Sequence, residues 1–265
     1  MATEGRPLIV GSDEGPEAPY PYQMEGKITT GFQRGSTLIS ECTYNAWRLS
    51  PHLTLTLTRT NNPPKLFSFY RNPETDDLQI GFPTANLPIN LTRTPWINTI
   101  PTGVYFGWSS LRLPASHADN PFSSSSSSSA APSSPYALYP MVMSIGYNPY
   151  FKNTVRTAEV HILHKFEETF YGEPLRLLIL GYIRPEKDYP SLEALIEDIR
   201  FDTRVAAESL KRKKWAPKGV SVVGGWEEGE LDVQWLVREE EDYDEPEAEG
   251  QGERKEGNDE KEAKI

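Results

Sequence analysis

The stretch "RTAEVHILHKF", residues 156–166, decides the fold because its apolar and polar side chains alternate. In an extended chain, alternate residues point to the same side, and the apolar members here are Ala158, Val160 and Ile162. Glu159 falls on the other side, between Thr157 and His161. Such alternation is typical of a strand that is buried on one face. The stretch therefore predicts a β-strand with Glu159 on its less buried face.

Further strands are predicted on both sides of this one. "YQMEGKITTGF" also alternates and predicts a first strand that ends at Gly31. Three apolar runs read as buried strands: "TGVYFGWSSL" (102–111), "YPMVMSIGY" (139–147) and "LRLLILGYI" (175–183). The Ser-rich run within residues 114–136 separates the first two of these, which predicts a hairpin with a lengthened turn.

The spacing of the apolar residues changes from that of a strand to that of a helix after the last of these strands. Leucine and isoleucine follow the i, i+3, i+4, i+7 spacing of an amphipathic helix, at Leu192, Leu195, Ile196 and Ile199. Ser191 is placed to cap the start of that helix. Several strands followed by one late helix predict a small β-barrel with a helix packed on it.

The remaining segments define the domain organisation. Residues 1–20 are rich in Pro, Gly and acids, so we expect them to be disordered, ahead of a barrel domain over 21–215. A C-terminal extension follows over 216–265, and we expect it to be acidic and disordered from about residue 237. Residues 37–78 contain Ser, Thr, Asn and Pro throughout and show no sustained period, which makes them an unusually long insertion.

Composition narrows the class of protein. The net charge is -11, but residues 238–265 alone hold 13 acidic and 5 basic residues, so the rest is nearly balanced and shows no basic patch for nucleic acid. Cys42 is the single cysteine, which excludes an internal disulfide and fits a reducing compartment. No secretory signal, transit peptide or transmembrane run is visible. We expect a monomer in the cytoplasm.

The segment "GFPTANLP", residues 81–88, carries a candidate metal pair. Pro83 and Pro88 favour an extended chain between them, in which Thr84 and Asn86 point to one side. Mg²⁺ accepts neutral oxygen ligands of this kind when a phosphate supplies negative charge. The alternative is that both residues cap a turn, and the stretch alone favours that alternative.

Familiar nucleotide-binding patterns are missing from the chain. It contains neither a G-x-x-x-x-G-K-[ST] loop nor a G-x-G-x-x-G after a strand. His161 and His164 are three apart on a strand and therefore make a poor metal pair. "GFQRGS" could cradle a phosphate with its backbone N–H groups, but by itself the turn is a weak signal and favours a plain hairpin.

Taken together and in order, several segments resemble one family, the fungal-type monofunctional riboflavin kinases of eukaryotes. The segments are "GFQRGS", "GFPTAN", "TGVYFGW", "SIGYNPYFKN", "EVHILHKFEETFYGE" and "GYIRPEKDYPSLEALIEDI". The resemblance covers roughly 22–36 and 80–214. Each motif is weak by itself, and the ordered set is specific.

The resemblance implies a mainly β fold, a six-stranded antiparallel Greek-key barrel with a C-terminal amphipathic helix. It also implies transfer of the ATP γ-phosphate to the 5′-hydroxyl of riboflavin, which yields FMN and ADP. Glu159 matches the catalytic Glu, and Thr84 and Asn86 match the metal ligands for Mg²⁺, or Zn²⁺ in its place.

The resemblance assigns the remaining site residues to two ligands. On the ATP side they are Gly31, Arg34, Gly35, Ser36, Thr84, His164 and Tyr171. On the flavin side they are Arg184, Glu186 and Lys187.

The sequence departs from the family pattern in three places. Gln33 replaces the middle glycine of the turn, and it would be strained if that position needs a positive φ. The Ser-rich loop lengthens a hairpin at little entropic cost. Residues 37–78 separate the phosphate loop from the metal pair and are either an extruded loop or a translated non-coding stretch.

Two rival interpretations follow. A bifunctional enzyme of bacterial type would need an FAD synthetase module, for which we expect too little chain ahead of the first strand. An inactive flavin- or nucleotide-binding barrel, or a scaffold acting through the acidic tail, is the rival from another class. The intact Thr84, Asn86 and Glu159 count against it.

Overall fold

The computed structural model describes residues 5–29, 84–122, 134–147 and 156–239. Six strands are present in these ranges: β1 (Tyr22–Lys27), β2 (Ala85–Leu87), β3 (Gly103–Leu111), β4 (Ala137–Tyr147), β5 (Arg156–Ile162) and β6 (Pro174–Arg184). They form one sheet in the order β1-β6-β3-β4-β5-β2, and every pairing between strands is antiparallel. A short 3₁₀ helix, Pro95–Asn98, lies between β2 and β3.

The topology is a Greek key. Strands β3, β4 and β5 are successive neighbours, and β6 returns to lie beside β3. The sheet curls until its two edges meet: beyond β1, the Thr29 N–H donates to the Asn86 carbonyl oxygen of β2 at 2.9 Å. The prediction of a mainly β, six-stranded antiparallel Greek-key barrel is therefore confirmed, as is the lengthened hairpin between β3 and β4.

The interior core is built by the alternating side chains of the strands. The three apolar residues of β5 that were predicted to be buried are 0–3% exposed: Ala158, Val160 and Ile162. Large side chains from the other strands join them inside the curl, including Tyr105, Met143 and Leu177. The period-2 pattern thus assigned the faces of β5 correctly.

A second apolar core lies on the outer face of β3, β4 and β6. Phe106, Trp108 and Leu180 point outward from the sheet and are completely buried. They are covered by the long helix α1 (Leu192–Leu210) and by the chain that follows it, including the short helix α2 (Gln234–Val237). The predicted amphipathic helix is therefore confirmed, and Ser191 caps it by accepting a hydrogen bond from Ala194 N at 3.3 Å.

The N-terminal segment differs from the disorder expected of residues 1–20. Residues 5–15, here called the N-terminal strap, lie along α1, and Arg212 donates to the carbonyl oxygens of Val10, Gly11 and Ser12 at 2.5–3.0 Å. The Trp215 indole N–H also donates to Ser12 O at 2.8 Å. The strap is held in place by Arg212 and Trp215, which are about two hundred positions away in the chain. Amino-acid composition cannot indicate such contacts.

Other expectations concern parts of the chain outside the described residues. These are the segment 37–78, most of the Ser-rich loop, the phosphate-side turn with Gln33, and the acidic tail from residue 240 onward.

Candidate functional site

A row of side chains crosses five strands on the outer face of the sheet. The register places Asn86 of β2 opposite Glu159 of β5, and Glu159 opposite Ser144 of β4. Ser144 in turn lies opposite Val104 of β3, and Val104 opposite Arg184 of β6. Directly opposed residues share a face, with Cβ atoms about 5 Å apart. We call these five residues the outer row.

The predicted metal pair meets the predicted catalytic residue in this row. Ala85 and Leu87 are buried in the interior core, so the intervening Asn86 faces outward, next to Glu159. Thr84 precedes β2 directly, and the alternation of the strand assigns it to the side of Asn86. Thr84, Asn86 and Glu159 are each half-buried. The spacing in the sequence and the strand register therefore both assign Thr84, Asn86 and Glu159 to the same face of the sheet.

The exit of β1 lies beside Asn86. Thr29 binds the Asn86 carbonyl oxygen through both its N–H, at 2.9 Å, and its hydroxyl, at 3.2 Å. Chain positions 31–36, with the predicted ATP-side residues Gly31, Arg34, Gly35 and Ser36, follow almost at once but lie outside the described residues. Thr29, the last described residue before that segment, lies two positions before Gly31 and is held beside Asn86.

Glu186 lies close to the outer row because Gly146 leaves room for it. A Cβ atom on Gly146 would stand 2.0 Å from Glu186 Oε1, so any side chain there would displace the carboxylate. Gly146 is two residues beyond Ser144 on β4, on the same face and about 7 Å along the strand. The predicted flavin-side Glu186 and the predicted catalytic Glu159 are thus brought to one face.

Two aspartates of α1, Asp198 and Asp202, hold the other predicted flavin-side residues. Arg184 contacts Asp202 Oδ2 through Nη2 at 2.7 Å and through Nε at 2.9 Å. Lys187 Nζ lies 2.6 Å from Asp198 Oδ2, and the Tyr189 hydroxyl donates to the same oxygen at 2.7 Å. Both carboxylates are at most 2% exposed. These contacts fix residues 184–189 against the helix.

The electrostatics of Asp198 follow from those contacts. Burial alone would raise the pKa of the Asp198 carboxyl, but hydrogen bonds from Lys187 and Tyr189 and the charge of Arg184 lower it. Burial likewise disfavours the charged form of Arg184, yet Asp202 holds the pKa of its guanidinium above the ordinary value. The cluster is therefore a set of ion pairs, not of neutral groups. Sequence reasoning missed the aspartates, although acids on the packed side of an apolar helix are a usable signal.

His164 and Tyr171 lie away from the outer row, on the connection between β5 and β6. The His164 ring packs against Tyr139 and Phe166, and burial lowers the pKa of His164 while Asp119 opposes that shift. Tyr171 packs against the interior core, and the neighbouring Gly172 N–H donates to Ile28 O at 2.8 Å. The connection therefore borders the exit of β1.

Two further residues support that connection and were not expected from the sequence. Asp119, near the start of the lengthened β3–β4 turn, accepts hydrogen bonds from the N–H groups of Glu167 and Glu168 at 2.8 and 3.1 Å. His117 Nε2 lies 3.2 Å from Thr169 O. Asp and Asn in "SHADN" are a turn signal, but nothing in the sequence indicates their partner.

A cavity of about 730 Å³ at the far end of β6 contains none of the predicted site residues. Its wall includes Lys27, Arg112 and Arg176, and Arg238 contacts Glu25 Oε2 at 2.6 Å. No set of three or more His, Cys, Asp or Glu side chains that could hold a metal is found in the described ranges. In the same ranges, no helix is long and apolar enough to cross a membrane.

Comparisons with known proteins match the chain to riboflavin kinases. A sequence model described as "Flavokinase: Riboflavin kinase" matches residues 77–210. A riboflavin kinase of Pyricularia oryzae is 48% identical over 90% of this chain and 96% of its own length, and one of Chaetomium globosum is 43% identical over 89% and 94%. The crystal structure of a riboflavin kinase from Trypanosoma brucei is 19% identical, with a TM-score of 0.42 over 75% of this chain and 85% of that one.

Proposed function

The chain belongs to the riboflavin kinase family, and from that premise we propose the reaction and the residues that carry it out. The reaction is transfer of the γ-phosphoryl group of ATP to the 5′-hydroxyl of riboflavin. The hydroxyl oxygen forms a bond to the γ-phosphorus, the bond to the β-phosphate oxygen breaks, and FMN and ADP result.

Glu159 acts as the general base. Its carboxylate accepts the proton of the 5′-hydroxyl and holds the oxygen in line with the phosphorus. Its half-buried position on an outward face, beside the amide of Asn86, suits a group that must reach substrate and still be held in place. Phosphoryl transfer depends mainly on positioning and charge stabilisation, so few groups are needed.

Thr84 and Asn86 supply oxygen ligands for Mg²⁺. Their hydroxyl and amide oxygens are hard, neutral donors, which suit Mg²⁺ bound together with nucleotide phosphates. They do not suit Zn²⁺, which takes mainly nitrogen and sulfur ligands. The ion, when bound, would neutralise charge on the phosphates, and the register holds Asn86 directly opposite Glu159.

The two substrates approach from different sides. The ATP phosphates lie towards the exit of β1, where Gly31, Arg34, Gly35 and Ser36 follow Thr29, with His164 and Tyr171 on the connection that borders this exit. Riboflavin lies towards residues 184–189, where Glu186 reaches across Gly146 and α1 holds Arg184 and Lys187. The expectation of a cytoplasmic monomer stays a prediction.

The observation that carries this proposal is the opposition of Asn86 and Glu159 across β2 and β5. It brings a metal-type ligand and a proton acceptor together from residues 73 positions apart. The test is to incubate the full chain with riboflavin and Mg-ATP and to separate the products by chromatography. Formation of FMN with one ADP per FMN is expected. Retention and later release of unchanged riboflavin would instead identify an inactive flavin-binding barrel.

A further inference from the structure

The N-terminal strap reaches the same two aspartates that hold the riboflavin-side segment. Arg6 Nη1 donates to Asp198 Oδ1 at 2.9 Å, and Arg6 Nη2 contacts Asp202 Oδ1. The guanidinium also lies over the Phe201 ring, 4.7 Å from its centroid. Arg6 is thus seated on α1 by two ion pairs and a ring contact.

Asp198 joins the strap to the segment 184–189 through its two oxygen atoms. Oδ1 faces Arg6 of the strap, and Oδ2 faces Lys187 and the Tyr189 hydroxyl. Asp202 makes a parallel link, with Arg6 on one side and Arg184 on the other. Two carboxylates therefore share one strap cation and two cations of the riboflavin-side segment.

Burial makes this link sensitive to the loss of a single cation. The side chains of Asp198 and Asp202 are 0% and 2% exposed, so solvent cannot readily replace a missing partner. Removal of one partner from a buried, charged network leaves the carboxylate undercompensated, and the remaining donors rearrange around it. The remaining donors here are Arg184, Lys187 and Tyr189, which set the position of the segment between them.

We propose that the N-terminal strap is a positioning element for riboflavin, in which Arg6 acts through Asp198 and Asp202 to hold residues 184–189 in their binding geometry. This inference rests on the proposed function, because the riboflavin side was assigned there. Arg6 touches neither substrate in this account. Its effect is to keep Glu186 and Lys187 where the flavin needs them.

The strap extends the proposed site to a part of the chain that none of the family motifs includes. The matched family model begins at residue 77, so it contains neither β1 nor the strap. Variation in residues 5–15 would then change the affinity for riboflavin without altering any group that contacts ATP.

The test compares the full-length wild type with Arg6→Ala, Arg6→Lys and a matched control, Arg204→Ala. Arg204 lies on the exposed side of α1 and contacts the same Phe201 ring, 5.6 Å from its centroid. We expect Arg6→Ala to raise the KM for riboflavin about tenfold, the size of one charge-assisted contact. The value of kcat and the KM for ATP should stay within about twofold of the wild type. Arg6→Lys should restore most of the affinity, and Arg204→Ala should behave as the wild type.

Hydrogen exchange gives a second measurement that needs no turnover. The backbone amides of Arg184 and of residues 186–189 should exchange faster in Arg6→Ala than in the wild type or in Arg204→Ala. If Arg6→Ala lowers Tm but leaves both this exchange and the riboflavin KM unchanged, Arg6 has only a structural role and the inference is wrong. Failure of the wild type to form FMN would instead contradict the proposed function, and the exchange would still decide whether the strap and the segment are coupled.

Discussion

The outer face of the sheet has two halves that differ in what covers them. On β3, β4 and β6, apolar side chains such as Phe106 and Trp108 are sealed under α1 and the chain that follows it, and the strands are buried on both faces. On β5 and β2, the outward side chains are half-buried and polar, and Glu159 and Asn86 are among them. We call these the covered half and the open half.

This difference shows how one sheet supports both stability and chemistry. The covered half has its polar groups paired internally, as when the Trp108 indole N–H donates to Trp215 O at 2.8 Å. The open half places carboxylate and amide groups at half-buried positions on a rigid scaffold, and a site built on such a scaffold is held most precisely. Substitutions in the covered half should therefore lower stability, whereas those in the open half should lower activity.

The largest effect is expected from Glu159→Gln in the open half. The amide keeps the shape of the carboxylate but cannot accept the proton, and general-base catalysis is typically worth about 10²–10⁴ in rate. We predict a fall in kcat of that order, with riboflavin binding and Tm largely unchanged, measured by steady-state FMN formation and thermal unfolding. Turnover close to the wild-type value would remove Glu159 from the mechanism.

Trp108→Ala tests the covered half. The side chain is fully buried between β3 and the chain after α1, and its loss leaves a cavity and an unpaired Trp215 carbonyl. Large-to-small changes of this kind cost about 3–5 kcal/mol of unfolding free energy. Denaturant unfolding should show that loss, while the folded fraction keeps its KM for both substrates. A variant that stays as stable as the wild type would contradict the role given to this core.

Thr84→Val and Asn86→Leu test the metal pair with nearly unchanged side-chain size. Each removes one oxygen ligand, so the Mg²⁺ concentration for half-maximal activity should rise on the order of tenfold, as for one lost contact to a charged group. Riboflavin binding, measured by fluorescence, should stay unchanged. Normal use of Mg-ATP by both variants would show that these residues are not metal ligands.

The smallest effect is expected from removal of the insertion, Thr37 to Asp76, which joins Ser36 to Asp77. Thr29 and Asn86 are hydrogen-bonded to each other where the two edges of the sheet meet. After the deletion, residues 30–36 and 77–83 would therefore have to span only the short distance between these two residues. The shorter loop should stabilise the fold by about 1 kcal/mol through loop-closure entropy, with FMN formation preserved or improved. A deletion variant that folds but is inactive would place the segment within the site.

The sequence predicted the faces of the strands and the chemistry of the open half, but not what holds that half in place. Alternation in residues 156–162 correctly buried Val160 and turned Glu159 outward, because period 2 is a local property. The Greek-key topology was expected only from the family resemblance, since no local pattern specifies that β6 returns beside β3.

The missed contacts of the strap and of Gly146 are long-range. Arg6 lies 192 positions from Asp198, and Arg212 lies 202 positions from Val10, so composition alone made the strap look disordered. Nothing in the sequence indicated that Gly146 makes room for Glu186. A Cβ atom at position 146 would clash only once the segment 184–189 has folded back over β4.

The central claim is that Asn86 and Glu159 act together as one site in the open half. A double-mutant cycle tests it directly, with kcat/KM for Mg-ATP at saturating riboflavin measured for Glu159→Gln, Asn86→Leu and the double variant. Groups that act as a unit are strongly non-additive, so the double variant should lose little more activity than Glu159→Gln alone. A combined loss equal to the product of the two single losses would show that the residues act independently and would contradict the account.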